Sequence, residues 1–233
     1  GKILDRNGEP LAVSAPVITL WANPSEVNVR DDKWQDLTSI AGLNYGVVIE
    51  RIKASAEAGK AFAYIARQIA PEIGQQAMQL KLRGLYSARS HKRYYPAGEV
   101  AAHVVGMTNI DERGQEGLEL AFDQYLLGVS GEKKVLKDRR GYVVADLSLI
   151  RDAQPGQDVQ LSIDLRLQTL AYRELKAAVA SHRAKAASLI MLDVNSGEVL
   201  AMVNQPSYNP NNRSTIEARR LRNRAVTDVF EPG

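Results

Sequence analysis

Cysteine is absent from the 233 residues, which excludes disulfides and thiolate metal sites. Histidine is scarce: His91, His103 and His182 lie far apart without metal-ligand spacing, so each reads as a surface or internally satisfied side chain. Apolar runs are short, and none approaches the roughly 18 residues of a membrane span. No signal-peptide pattern is visible, and the chain opens abruptly at Gly1-Lys2-Ile3. Charge of one sign is also lacking, since 30 Lys and Arg face 27 Asp and Glu for a net +3. Basic residues gather around 81–93, 133–140 and 213–224, but no groove-reading or stacking motif accompanies them. A nucleic-acid partner is therefore not expected; an anionic membrane or polymer suits such a surface as well.

What is present is ordinary for a soluble globular protein: 45% hydrophobic and 24% charged residues, in a length that suits one large or two modest domains. Residues 1–13 read as strand, turn, strand, with Asn7-Gly8 at the turn because both tolerate positive φ. Residues 17–22 continue as an apolar strand. Asp31 or Asp32 caps a helix carrying Trp34, Leu37, Ile40 and Ala41 at helical spacing. A second helix covers 45–58 with Val48, Ile49 and Ile52 inward, and 62–69 alternates as a strand. Pro71 suits the first turn of a third helix, with Ile73, Ala77 and Leu80 on one face. Together these make a subdomain at about 24–84, roughly 60 residues in size. It carries no catalytic constellation, and two readings stay open: a head that contacts another protein, or a purely structural lobe.

Residues 85–95 return to strand and lead into Arg93-Tyr94-Tyr95-Pro96-Ala97-Gly98, where Pro-Ala-Gly signals a turn. Gly114 and Gly117 close another turn, and 118–127 has helical apolar spacing ended by Gly128. A continuous helix there puts Glu119 and Asp123 on one face. Like charges so placed are mildly destabilising unless a cation bridges them, and arginine's planar fork suits that role. Arg93 is therefore expected to pair with Glu119, with Asp123 as a second acceptor. The alternative is two solvated acids worth almost nothing. Neither acid lies near a nucleophile candidate. Residues 133–149 read as a second hairpin turning at Asp138-Arg139-Arg140-Gly141, and Gln154-Pro155-Gly156-Gln157 is the domain boundary. Beyond it, 158–163 is a strand and Asp164 caps a long helix ending near His182. Residues 187–194 and 198–203 form a hairpin buried on both faces. Helical composition over 219–229 stops at Glu231-Pro232-Gly233, a break that delivers the chain to a following element.

Gly1-x-Ile3-x-Asp5-Arg6-Asn7-Gly8 resembles the opening motif of class B penicillin-binding proteins. Arg93-x-Tyr95-Pro96-x-Gly98 resembles their second motif, and Gly114-x-x-Gly117-x-Glu119 their third. From about Leu161 the similarity is nearly continuous, through Ser196-Gly197-Glu198 and Pro206-Ser207-Tyr208-Asn209-Pro210-Asn211, which resemble the start of the transpeptidase domain. Arg222-Asn223-Arg224-Ala225 and then Phe230-Glu231-Pro232-Gly233 resemble the run just before the Ser-x-x-Lys of these enzymes. That ending, with Asn209-Pro210-Asn211-Asn212, looks most like the cell-division, septal type of Gram-negative bacteria.

The resemblance implies an α+β fold. Residues 1–156 would be an extended, β-rich non-catalytic pedestal with the small helical head, and 157–233 the first strands and helix of a transpeptidase domain. Asp5, Arg6, Gly8, Arg93, Tyr95, Pro96, Gly98, Gly114, Gly117, Glu119 and Asp123 would be structural motif residues. Glu231, Pro232 and Gly233 would lie next to the active site. The serine would follow Gly233, so no catalytic residue, metal ligand or cofactor is expected within the chain, which should be inactive alone. The parent would be a serine-type peptidoglycan D,D-transpeptidase that cross-links stem peptides in septal wall synthesis and is a target of β-lactams. Its stem-peptide substrates and β-lactams would engage the missing catalytic domain, and its partners would be cell-division proteins including a glycan-strand polymerase. It would sit on the periplasmic face of the inner membrane, anchored by an N-terminal helix not present here. The alternative is a non-catalytic scaffold that binds division partners. Without the rest of the catalytic domain, 213–233 is expected to be loosely held, or held by non-native contacts.

Overall fold

The fold was obtained as a computed structural model that describes residues 1–137 and 143–229. The chain forms two compact units, one from Gly1–Ser14 with Arg93–Gly233, the other from Ala15–Lys92. Strands β1 (Ile3–Leu4) and β2 (Pro10–Ala22) open it, with Ile3 opposite Ala12 and Leu4 opposite Pro10. The turn between them is the Asn7-Gly8 turn, where Gly8 adopts φ +85° and donates its N–H to Asp5 O at 3.1 Å. The second hairpin strand and the apolar run at 17–22 are one continuous strand of 13 residues.

In the Ala15–Lys92 unit the end of β2 lies between β3 (Ala63–Ile69) and β4 (Leu85–Tyr94). Helices α1 (Lys33–Ala41), α2 (Tyr45–Glu57) and α3 (Pro71–Gln79) complete it. Asp31 supplies the α1 cap, its Oδ1 accepting from Lys33 N at 3.1 Å, while Asp32 makes no side-chain cap. Trp34, Leu37, Val48, Ile49 and Ile52 pack with Leu20, Ile65 and Leu85 into one core. Each such aliphatic side chain contributes about 1.5–3 kcal/mol of transfer free energy. Ile73, expected inward, is only partly buried. Helix α3 lies so close to β2 that a Cβ on Gly74 would come within 2.7 Å of the Ile18 side chain, so Gly74 and Ala77 take the inner positions.

In the other unit a 3-10 turn (Gly98–Val100) precedes α4 (Ala102–Val105), β5 (Met107–Thr108), β6 (Gly114–Glu116), α5 (Gly117–Ala121) and α6 (Asp123–Leu126). The hairpin β7 (Glu132–Lys137) and β8 (Val143–Arg151) follows, its expected turn at Asp138–Gly141 lying outside the described residues. Then come β9 (Val159–Gln160), α7 (Leu165–Ser181), β10 (Ala187–Leu192), β11 (Val199–Gln205), α8 (Ala218–Leu221) and α9 (Arg224–Thr227). Strand β9 joins β1 in parallel, Ile3 opposite Val159. No helix among the described residues is long and apolar enough to cross a membrane.

Three sequence expectations are corrected here, and a fourth is narrowed. The helix foreseen over 118–127 breaks at Phe122 (φ −110°, ψ 19°) into α5 and α6. The break turns the Asp123 carboxylate back onto Gly114 N, at 2.7 Å, instead of leaving it beside Glu119. The strand foreseen at 158–163 shortens to two residues, because Ile163 O is taken by Arg6 N (2.9 Å) outside any ladder. The β10–β11 hairpin is not buried on both faces. Leu189 and Met191 pack toward α7, whereas Ile190 and Leu192 are 45% and 55% exposed. Finally, within 213–233, residues 220–225 are held by contacts rather than loose. Ala225 N donates to Asn204 Oδ1 (2.8 Å), Asn204 Nδ2 to Asn223 Oδ1 (2.8 Å), and His103 Nε2 bonds Arg220 O (2.8 Å).

Candidate functional site

The three sequence motifs fold into two polar nodes of the same unit. The first is built on Asp5. Its position at the end of β1 turns the carboxylate inward, where it accepts from Asn7 N (2.7 Å), Glu9 N (2.8 Å) and Leu165 N (3.1 Å). Leu165 is the first residue of α7, whose N-cap Asp164 accepts from Arg166 N at 2.9 Å. Asp5 thus shares the positive end of that helix with Asp164, a placement that favours anions. Asn7 Nδ2 bridges both carboxylates at 3.3 Å. Arg6 reaches Glu198 Oε2 at 3.4 Å, an exposed pair worth little. Gly8 has open space around it.

Burial alone raises the Asp5 pKa, but the N–H groups of Leu165, Glu9 and Asn7 outweigh it and hold the carboxyl below 3.8. A depressed carboxyl pKa stabilises the fold above the unfolded value, and that stability is lost as pH falls through the folded value. Asp5→Asn should therefore cost about 1–3 kcal/mol at neutral pH. The gap should close in acid, as the wild type loses the same charge. Urea unfolding of both proteins at about pH 7 and about pH 3 measures it; an equal gap at the two pH values would contradict the assignment.

The second node is built on Arg93, the last inward residue of β4. Its Nε donates to Glu119 Oε1 at 2.6 Å, and its Nη1 donates to Gly1 O (2.6 Å) and Ser14 Oγ (3.1 Å). Both charged side chains are buried, and Arg93 Nη2 has no hydrogen-bond partner among the described residues. Burial pushes the Glu119 carboxyl above its ordinary value and the Arg93 guanidinium works against that shift. Asp123 stands apart, on Gly114 N and on Arg113 Nη1 at 3.3 Å. Two residues on, the buried Tyr95 accepts from Thr108 N at 2.9 Å, and burial with the nearby Glu119 charge raises its pKa to about 12. Gly98 closes the Pro96 turn, its N–H donating to Tyr95 O at 3.0 Å. Glycine is required at Gly114 and Gly117 by close approach: a Cβ on Gly114 would lie 2.1 Å from Glu119 O, and one on Gly117 would lie 2.7 Å from Gly106 N. Glu231, Pro232 and Gly233 lie outside the described residues.

Sequence reasoning gave no joining role to the residues that tie the second motif to the later elements. Asn211 Oδ1 accepts from Tyr95 N and its Nδ2 donates to Tyr95 O, both at 2.9 Å, so the amide copies a strand partner. Gln168, buried in α7, donates to Val100 O and Met202 O and accepts from Met202 N, all at 2.8 Å. Ser207 Oγ donates to Glu99 O (2.7 Å) and Tyr208 OH to Ala102 O (3.0 Å). His103 is the satisfied histidine foreseen. Burial lowers its pKa, and since a carbonyl only accepts, its Nε2 carries the proton toward Arg220 O. None of these amides had a local signal, because each bonds backbone remote in sequence. What the nodes can do chemically is hold α7, β11 and the 206–225 segment in place against 93–106.

Comparison with known proteins places this architecture. Residues 1–161 match the family model described as penicillin-binding protein dimerisation domain, and residues 187–233 match the penicillin-binding protein transpeptidase domain. The chain is 47% identical over its whole length to "Peptidoglycan D,D-transpeptidase FtsI" of Escherichia coli K12, covering 40% of that protein. It is 40% identical to "Probable peptidoglycan D,D-transpeptidase PbpC" of Pseudomonas aeruginosa, covering 41% of it. The chain thus spans about two fifths of the length of these relatives. The crystal structure of penicillin-binding protein 2X from Streptococcus thermophilus superposes with a TM-score of 0.62 at 20% identity, over 91% of this chain and 35% of that one, a likeness of fold. The chain belongs to the penicillin-binding protein dimerisation-domain family and runs on into the start of a transpeptidase domain.

Proposed function

We propose that the chain is part of a peptidoglycan D,D-transpeptidase of septal cell-wall synthesis. The observation that carries the reading is the transpeptidase-domain match at 187–233 following the dimerisation-domain match at 1–161, within similarity over the whole of this chain to a relative named for that activity. In this proposal 1–156 is the non-catalytic pedestal and 157–233 the first part of the catalytic domain. The motif residues around Asp5 and Arg93 serve as structural clamps, seating α7 and β11 so that the sheet of the catalytic domain starts from a rigid base. A serine in a following Ser-x-x-Lys attacks the D-Ala-D-Ala carbonyl of a stem peptide and releases D-Ala. The lysine one helical turn on activates the hydroxyl. An amine of a neighbouring stem peptide then takes the acyl group and frees the serine. β-Lactams would trap the acyl-enzyme, and the protein would work on the periplasmic face of the inner membrane.

The test is labelling with a fluorescent penicillin. The whole natural protein should become covalently labelled and the 233-residue chain should not; reading past Gly233 should show Ser-x-x-Lys, then Ser-x-Asn and Lys-Thr-Gly. Labelling of the chain itself, or absence of those motifs from the whole protein, would sink the proposal. A second role fits the same protein: docking of division partners, a glycan-strand polymerase among them, on the non-catalytic part. The feature favouring it is a cation-lined cleft in the Ala15–Lys92 unit between α2 and β3.

A further inference from the structure

A row of aromatic rings crosses β4, β2 and the start of β3. Tyr86 stacks on Trp21 with centroids 4.6 Å apart and planes 22° from parallel. Trp21 stacks on Phe62 at 4.9 Å and 24°, and Tyr64 meets Phe62 edge-on at 4.6 Å. The guanidinium of Arg67 covers the Tyr64 ring at 4.6 Å. Alternation along the strands explains the row: Leu20, Ala22, Ala63, Ile65 and Leu85 point into the core, so their neighbours Trp21, Tyr64 and Tyr86 point outward. Trp21 thus has a stacked ring on either side, while Phe62 and Tyr64 remain 40% and 42% exposed.

Beside this row opens a cleft of about 690 Å³, walled by Arg51 and Ser55 of α2, by Lys60, and by Phe62 and Tyr64. Arg51 is braced there, its Nη1 donating to Tyr64 O at 3.1 Å. Acidic and basic residues nearly balance over the whole chain, yet no carboxylate is among the described residues lining this cleft. Apolar wall and two cations therefore coincide. Strand β3 also lies at the end of its sheet, with an outer edge that no other described strand covers.

We propose that this cleft receives an acidic, extended peptide segment of a partner protein, its apolar side chain against Phe62 and Tyr64 and its carboxylates toward Arg51 and Lys60. An anionic glycan shares the charge but brings no peptide backbone. The outer edge of β3 supplies backbone groups that only a peptide can match. The inference rests on the docking role given above and is independent of the transpeptidase reaction.

Trp21 provides the readout, since Trp34 is fully buried and gives a constant background. The 233-residue chain is titrated with a blocked pentapeptide, Asp-Glu-Leu-Asp-Glu, while Trp21 emission is followed. The acidic peptide should bind at least about tenfold tighter than its neutral form, Asn-Gln-Leu-Asn-Gln, and the advantage should shrink at roughly 0.5 M salt. Lys60→Glu, an exposed substitution, should lower affinity for the acidic peptide about tenfold and raise it for Lys-Arg-Leu-Lys-Arg. Ser55→Glu, which leaves both cations in place, should act in the same direction. Equal binding of the acidic and neutral peptides would overturn the proposal, as would indifference to both variants. So would binding of polygalacturonate where the acidic peptide fails, which would assign the cleft to an anionic glycan. Failure of the transpeptidase reading shows elsewhere, as a whole protein that penicillin does not label, and leaves this titration unchanged.

Discussion

Arg93→Ala lowers the thermal midpoint of unfolding by roughly 6–20 °C, the largest loss expected of any single polar residue here. The buried Glu119 carboxylate is left 2.6 Å from where its partner's Nε stood, and no other described side chain forms an ion pair with it. Removing one member of a buried pair costs about 3–5 kcal/mol, and each kcal/mol moves the midpoint by about 2–4 °C in a protein of this size. The pair itself is worth less than that figure. Arg93→Met combined with Glu119→Leu removes both charges together and should recover most of the loss. The deficit of Arg93→Ala should also narrow in acid, because burial already raises the Glu119 pKa and proton uptake relieves the orphaned charge. Calorimetry of the two singles and the double checks this. A shift under about 2 °C for Arg93→Ala would show the pair to be solvated after all.

Gly106→Ala should be more damaging than Gly8→Ala by about 3 kcal/mol, although both glycines have nearly the same φ. Gly8 sits at +85° with nothing within 4 Å of a new Cβ, so alanine there costs only the left-handed backbone, about 1–2 kcal/mol. Gly106 sits at φ +81° and ψ −150°, a region open essentially to glycine alone, and its Cβ would lie 1.8 Å from Glu116 O. The obstacle is backbone, so it cannot swing away like the end of a side chain. Strands β5 and β6 must separate, and with them the Gly117 turn that presents Glu119 to Arg93. Urea unfolding of both variants measures the difference. Equal losses would mean that the α4–β5 turn relaxes freely.

Most of the elements were legible locally. The spacing of Trp34 and Leu37, of Val48, Ile49 and Ile52, and of the apolar positions after Asp164 marked α1, α2 and α7, because a helix with one buried face must repeat apolar residues every three or four positions. Asn7-Gly8 marked its turn for an equally local reason, although only Gly8 takes the positive φ. The candidate site was half legible: charge logic paired Arg93 with Glu119 across 26 positions. It failed at Asp123, because it assumed an unbroken helix. The break at Phe122 frees that carboxylate for Gly114 N and Arg113, closer acceptable donors than Arg93.

By itself, then, the sequence determined the period of each helix and strand, the positions of the glycine turns, the order of the three motifs and the family to which that order belongs. These depend on neighbours within a few residues or on matching known patterns. Only the tertiary structure decided that Asp5 caps α7, that β1 takes β9 as a parallel partner, and that Gln168 and Asn211 stitch the second motif to the later strands. It also decided which face of β10 is covered. Such pairings join groups 34 to 160 residues apart. Their partners are mostly backbone N–H and C=O groups, which every residue carries alike, so no side-chain pattern announces them.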